Sequence, residues 1–278
     1  MPTQTAYPSR GNWQRYLYFL CISGIGLGLT ASLPLRAQSA QFSYAQASLG
    51  SGWIAPTGVA VDGSGNVYVV SPAGNGGTPG TVTRESRAAE GYTATAIGSG
   101  WSQPIAVAVD GSGDVFVTDA GLGAIIKETP AGTGYTQTVA VSGLSEPAGI
   151  AVYASGDLYI TVANGSVLKA VSTLGGYPTN SIVTGLNNPT GIAVDAEGDL
   201  YIATQGAGVL QETPGTSGYT QTSVWTATAG SAITGLAAEA DGSLYIADSS
   251  SNQVIVARPQ AGVYTPVLRA PGMNQPQG

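Results

Sequence analysis

Sixteen Asp and Glu side chains and no histidine set the chemistry open to this 278-residue chain. Without histidine, Ser-His and Cys-His nucleophiles and histidine-ligated zinc or iron sites are excluded. Cys21 is the one cysteine, and it lies in an N-terminal apolar run. A chain cleaved after that run has neither disulfide nor thiol chemistry. Carboxylates remain, and a pair of them suffices for glycoside hydrolysis. Asp62, Asp110, Asp195 and Glu239 stand at equivalent places in a repeat and would form a partial ring, with Tyr153 in their place once. The other reading, that each caps its own turn, is favoured because the placement recurs with the turn. Asp62-Gly63-Ser64-Gly65-Asn66 and Asp110-Gly111-Ser112-Gly113-Asp114 also suggest calcium loops, but they lack a spaced third acid and a closing Glu. Plain turns are expected there, with no metal site and no cofactor.

A second set of residues points to binding. Trp53 and Trp101 precede the first strand of two repeats, and Asp119, Asn164, Gln205 and Asp248 follow the second strand. Antiparallel strand order places both loop sets on one rim, where aromatic and polar groups together make an interface anchor. Trp53, Trp101, Asp119 and Asp248 are therefore the candidate ligand-binding residues. The competing reading has the Trp rings plugging the tops of adjacent sheets. The Gly- and Pro-rich insertion Ser71 to Gly80 falls on this rim too, as a recognition loop or as tolerated slack.

The elements that would hold these residues repeat. Pro56-Thr57-Gly58-Val59-Ala60-Val61-Asp62-Gly63-Ser64-Gly65-Asn66-Val67-Tyr68 returns from Pro104, Pro147, Pro189 and, more weakly, Ile233. A period in the forties built from strand residues and glycine turns predicts radially arranged four-stranded sheets, an all-β propeller. Gly58 to Val61 reads as a first strand buried on both faces, with Ala60, Ala108, Ala151, Ala193 and Ala237 at its centre letting the inner strands converge. Val67 to Val70 reads as the second strand. Tyr68, Phe116, Tyr159, Tyr201 and Tyr245 fall six residues after the turn-acid position, as packing elements between blades. Ala124 to Pro130 and Gly208 to Pro214 read as third strands, and tyrosines 92, 135, 177, 219 and 264 open the fourth.

The same spacing assigns residues 42 to 49, around Tyr44, to a fourth strand without upstream blade partners. Gly272-Met273-Asn274-Gln275-Pro276-Gln277-Gly278 copies Gly185-Leu186-Asn187-Asn188-Pro189-Thr190-Gly191. Five complete blades and the start of a sixth are expected, a six-bladed design truncated after five units, with closure by five blades as the other possibility.

Pro189 to Ala203, with its Pro-x-Gly-Ile-Ala-Val-Asp-x-x-Gly-Asp-Leu-Tyr-Ile-Ala phrase, resembles the NHL-repeat family of propellers over residues 42 to 278. The resemblance implies fold more than function, because that family includes protein-binding sensors, RNA-binding domains and lyases. NHL repeats usually carry Asp, then Asn and Arg after the second strand. Here the runs from Asp119 and Asp248 keep the Asp and lose the Arg, so the basic face of RNA-binding relatives is absent. The family's lyases lean on histidines or a bound metal, and their activity carries over to no position here.

Arg10 and Arg15 precede the apolar run from Tyr16 to Leu35, and Leu35-Arg36-Ala37 closes it. Residues 1–37 read as a secretory signal, with an uncleaved anchor as the alternative, and 38–278 as the propeller. Removing 1–37 takes three arginines and no acid, which leaves a net charge of about −10. A body so acidic repels phosphate backbones, and no nucleic acid partner is expected. The reading that results is a secreted or periplasmic, non-enzymatic scaffold for a protein, peptide or glycan, with no membrane contact beyond the signal. Two alternatives stand beside it: a propeller lyase or hydrolase using carboxylates or an oxygen-bound cation, and a truncated fragment without independent function.

Overall fold

In the computed structural model, the described residues are 53 and 55–277, apart from 73–78, 89–90, 207, 228–230, 240, 261–262 and 272–275. They form five four-stranded antiparallel sheets, each running in chain order from its inner to its outer strand. The first blade is β1 (Gly58–Val61), β2 (Val67–Ser71), β3 (Thr81–Arg87) and β4 (Tyr92–Ala96). The second is β5 (Pro104–Val109), β6 (Val115–Asp119), β7 (Ala124–Ala131) and β8 (Gly134–Val141). The third is β9 (Pro147–Val152), β10 (Leu158–Val162), β11 (Ser166–Ala170) and β12 (Thr179–Val183). The fourth is β13 (Pro189–Val194), β14 (Leu200–Thr204), β15 (Gly208–Gly215) and β16 (Gly218–Trp225). The fifth is β17 (Ile233–Ala238), β18 (Leu244–Asp248), β19 (Gln253–Gln260) and β20 (Val263–Pro271). Inner strands neighbour one another in succession, β1 to β5, β5 to β9, β9 to β13 and β13 to β17. This is a β-propeller of five blades.

The strand buried on both faces is the second, not the first. β2, β6, β10 and β14 are buried at every position, whereas β1 is buried only at Gly58. The cause is radial: a second strand has strands on both sides and a blade against each face, while the inner strand turns one face to the axis. Convergence there depends on glycine as well as on the expected alanines. A Cβ on Gly58 would stand 2.8 Å from the Ala106 Cα of the next blade, and one on Gly191 3.4 Å from the Gly235 Cα. Threonine hydroxyls fasten the start of an inner strand to the segment that follows it around the axis. Thr57 Oγ1 donates to Ile105 O at 2.9 Å, Thr190 Oγ1 to Ile233 O at 3.0 Å and Thr234 Oγ1 to Pro276 O at 2.8 Å.

The recurring aromatic packs between blades as expected in four repeats. Tyr68, Phe116, Tyr159 and Tyr201 are buried, and each meets the blade that follows, where Tyr177 stands edge-on to Phe116 and Tyr264 to Tyr201. Tyr245 is only half-buried, because the described residues place no further blade against its sheet. Tyr177 lies just outside its strand, since β12 starts at Thr179. The expected signal segment 1–37, the strand at 42–49 and most of the insertion and of the 272–278 copy lie outside the described residues. Pro276 and Gln277 are described, and they lie beside β17.

Candidate functional site

Asp62, Asp110 and Asp195 cap their turns, whereas in the fifth repeat the turn amide of Ser243 is accepted by Asp241 and not by Glu239. Asp62 Oδ1 accepts the Ser64 and Asn66 amides, both at 2.9 Å, while Oδ2 accepts Asn66 Nδ2 at 2.7 Å and the Tyr68 hydroxyl at 3.0 Å. Asp110 and Asp195 bind the corresponding amides, and Tyr201 and Tyr245 donate to Asp195 and Glu239, each at 3.0 Å. Burial alone would raise the Asp62 carboxyl, but these donors outweigh it and hold the group below its ordinary value. Burial and the Glu239 partner push the Tyr245 phenol up to about 12. A locked anion beside a protonated phenol offers neither a free general acid nor a free base near neutral pH. At Asp62 and Asp195 both carboxyl oxygens already accept hydrogen bonds from the turn or from the tyrosine that follows it.

Where the Asp and Tyr pattern breaks, lysine substitutes. The second blade has Phe116 in place of tyrosine, and Lys127 Nζ lies 5.4 Å from that ring and 2.6 Å from Asp114. The third blade has Tyr153 in place of the acid, and Lys169 Nζ lies 5.5 Å from Tyr159 and 3.0 Å from Asp157. The signal for these clamps was present in the third-strand residue that pairs with each aromatic, and it is legible only once register is known.

The opposite rim is knitted from backbone. Ala120 N donates to Gln103 O, Ala163 N to Glu146 O, Gln205 N to Asn187 O and Ser249 N to Ala232 O, so the loop leaving each second strand is tied to the loop preceding its first. The two loop sets therefore share one rim in four blades. Of the residues expected to bind there, most lie beneath the surface. Trp101 is buried between the first two blades, and its Nε1 donates to Ile97 O at 3.1 Å, which makes it a plug. Asp119 is fully buried and accepts the amides of Ser102, Gln103 and Leu122 at 2.8, 2.9 and 3.1 Å. Asp248 does the same for the last blade, accepting Ser250 Oγ at 2.7 Å and the amides of Ser250 and Ser251. Trp53 is half-buried. The reading in which the Trp rings plug the tops of adjacent sheets therefore holds at Trp101, because its loop folds back onto the first blade.

The surface these residues support is polar and mostly uncharged: Ser102, Gln103, Asn187, Asn188, Gln205 and Ser250 are exposed, with Leu122 half-exposed among them. Three residues that precede a proline on this rim take left-handed backbone, Ala55 at φ 48°, Glu146 at 47° and Asn188 at 41°. Such conformations cost about 1–2 kcal/mol for a residue with a Cβ, and Asn tolerates them best.

The axial cavity, of about 260 Å³, is lined by residues of all five inner strands together with Gln277. Among its described lining residues none is ionisable, and the hydroxyls of Thr57, Thr190 and Thr234 are already donated to carbonyls. Among the described residues no three acidic side chains converge as a metal-holding group.

These features define a β-propeller with a chemically quiet axis and a loop-built polar rim. No family model matches the chain, and no curated protein does. Solved structures match in fold. A chain from a nidogen/laminin complex is 22% identical with a TM-score of 0.65, covering 80% of this chain and 82% of that one. A protein from Lactobacillus plantarum is 14% identical with a TM-score of 0.62, covering 81% and 74%. Virginiamycin B lyase from Staphylococcus aureus is 18% identical with a TM-score of 0.56, covering 76% and 69%.

Proposed function

We propose that the protein is an exported propeller of NHL type that binds a protein, peptide or glycan through its polar rim and leaves that ligand chemically unchanged. The observation that carries this reading is the contrast between the two rims and the axis. On the turn rim Asp62, Asp110 and Asp195 bind their own turns, and on the axis the hydroxyls of Thr57, Thr190 and Thr234 are donated to backbone carbonyls. Both rims expose polar groups and a leucine, Leu122 on the loop rim and Leu174 on the turn rim. Among the described residues, however, the non-glycine backbone held in left-handed conformation, a strain found at ligand clamps, falls on the loop rim. Trp53 is its half-buried anchor, and Trp101, Asp119 and Asp248 hold the loops from below.

Export rests on Arg10, Arg15 and the apolar run closed by Ala37, and NHL type on the Pro189 to Ala203 phrase. We also infer a ring with six positions, since Thr234 holds Pro276 as Thr190 holds Ile233, one step further round. A chain in a nidogen/laminin complex and a lyase share this fold, so fold is neutral between binding and catalysis and the choice rests on the residues. The test is to incubate the purified protein with arrays of peptides and glycans and to weigh each captured species by mass spectrometry. Capture of an unchanged ligand is expected. A captured species that gains water or loses part of its mass supports the lyase or hydrolase instead.

A further inference from the structure

Glu128 on β7 is fully buried, and among the described residues neither carboxyl oxygen has a hydrogen-bond partner. Its counterpart in the fourth blade is Glu212, placed opposite Leu200 as Glu128 is placed opposite Val115. Each glutamate also faces a glutamine on its outer strand, Gln221 for Glu212 and Gln137 for Glu128. Gln221 Nε2 donates to Glu212 Oε1 at 2.6 Å. Gln137 Nε2 instead reaches across the blade boundary to Ser99 O at 3.0 Å. One pair of residues therefore takes two arrangements in the same fold. The loop from Gly98 to Trp101 lies against the unpartnered carboxyl: Gly98 has φ +63°, and a Cβ there would overlap Glu128 Oε1 and come within 2.7 Å of Trp101 Cζ2.

We propose that Gln137 is the moving arm of a proton-controlled clasp between the first two blades. With Glu128 protonated, the Gln137 amide holds Ser99. When Glu128 gives its proton to water, the amide turns to the buried carboxylate, as Gln221 does to Glu212, and releases the loop. That loop lines a pocket of about 230 Å³ with Pro79, Gly80 and Val82, so the clasp sets the shape of this pocket.

Burial pushes the Glu128 carboxyl up to about 7, which places the change in the neutral range. The charged and titratable groups of the surrounding elements are otherwise engaged or turned away. Lys127, on the other face of β7, pairs with Asp114, and on β6 Asp119 binds the amides of Ser102 and Gln103. On β8 Tyr135 couples to Tyr68. Glu85 on β3 lies opposite Val67, outside the cluster that joins these two blades. Arg84, opposite Tyr68, shares the face that meets the second blade, and its Nε is unpartnered. Among the described residues Arg84 is thus the rival for the ionised carboxylate.

The sign of the stability change follows from the raised value. The protonated fold is favoured below the ordinary carboxylate range, and that contribution is lost as pH rises through about 7. The test follows the Gln137 side-chain amide and the Gly100 backbone amide by ¹⁵N NMR from pH 5 to 9, in the wild type, E128Q and Q137A. Both wild-type signals should move together with a midpoint near 7, and both should stay still in E128Q. In Q137A the Gly100 signal should stay still, and the melting temperature of E128Q should fall less than that of the wild type between pH 5 and 8. A Gln137 amide that does not move, movement that persists in E128Q, or a Gly100 signal that still titrates in Q137A because Arg84 takes the carboxylate would each overturn the clasp.

Discussion

At the scale of single residues, polar side chains in this protein serve mainly the backbone. Asp248 is the example with a pH consequence. Burial would raise its carboxyl, but donors from Ser251 and Ser250 outweigh burial and hold it at about 2, below its ordinary 3.8. A depressed acid stabilises the fold above its unfolded value, and that stabilisation is lost as pH falls through the folded value. Between about pH 4 and pH 2 the wild type should therefore lose stability faster than Asp248→Asn, a difference that urea midpoints across this window would measure. The turn role of Asp62 was legible in the sequence because an Asx-turn is local, written in Asp, Ser and Gly within five positions. Trp101 as a plug was one of two readings the sequence offered, but the choice between plug and exposed ring was not legible, because it depends on a loop folding back over Gly98 onto a neighbouring blade. Glu128 could not be read either, since its burial comes from blade packing and its register partner Gln137 lies nine residues away.

At the scale of elements, the aromatic of each second strand carries the packing between blades. Tyr201 is 2% exposed, receives the Tyr264 hydroxyl at 3.0 Å and passes its own to Asp195. Tyr201→Ala should cost about 3–5 kcal/mol, as large aromatic deletions from cores do. Tyr245→Ala, on a half-buried ring with no blade beyond it among the described residues, should cost about half as much. Chemical denaturation of the two variants decides this, and equal losses would mean that the face of the fifth blade is covered. Strand order and most strand limits were legible because apolar runs and glycine turns alternate strictly. The relative burial of first and second strands was not, because Gly58 to Val61 and Val67 to Val70 are equally apolar runs. Only the radial position, at the axis or between neighbours, separates them.

At the scale of the whole molecule, five blades present two unlike rims about an axis without ionisable side chains among its described lining residues. The repeat made this architecture legible, whereas the candidate residues Trp53, Trp101, Asp119 and Asp248 could be assigned to a rim but not ranked by exposure. Composition shows which loops can carry polar groups, but exposure within them is set by contacts between blades. The most direct test of the account compares two rim variants against whichever peptide or glycan the arrays capture. One variant combines Leu122→Asp with Gln205→Arg on the loop rim, and the other combines Ser64→Arg with Glu197→Arg on exposed turn positions of the opposite rim. Interface energy concentrates in a few anchors, so the first variant should weaken binding by about ten-fold or more, with the second within about two-fold of wild type. Binding that survives the loop-rim changes and is lost with the turn-rim changes would contradict the account and place the functional face on the ring of turn carboxylates.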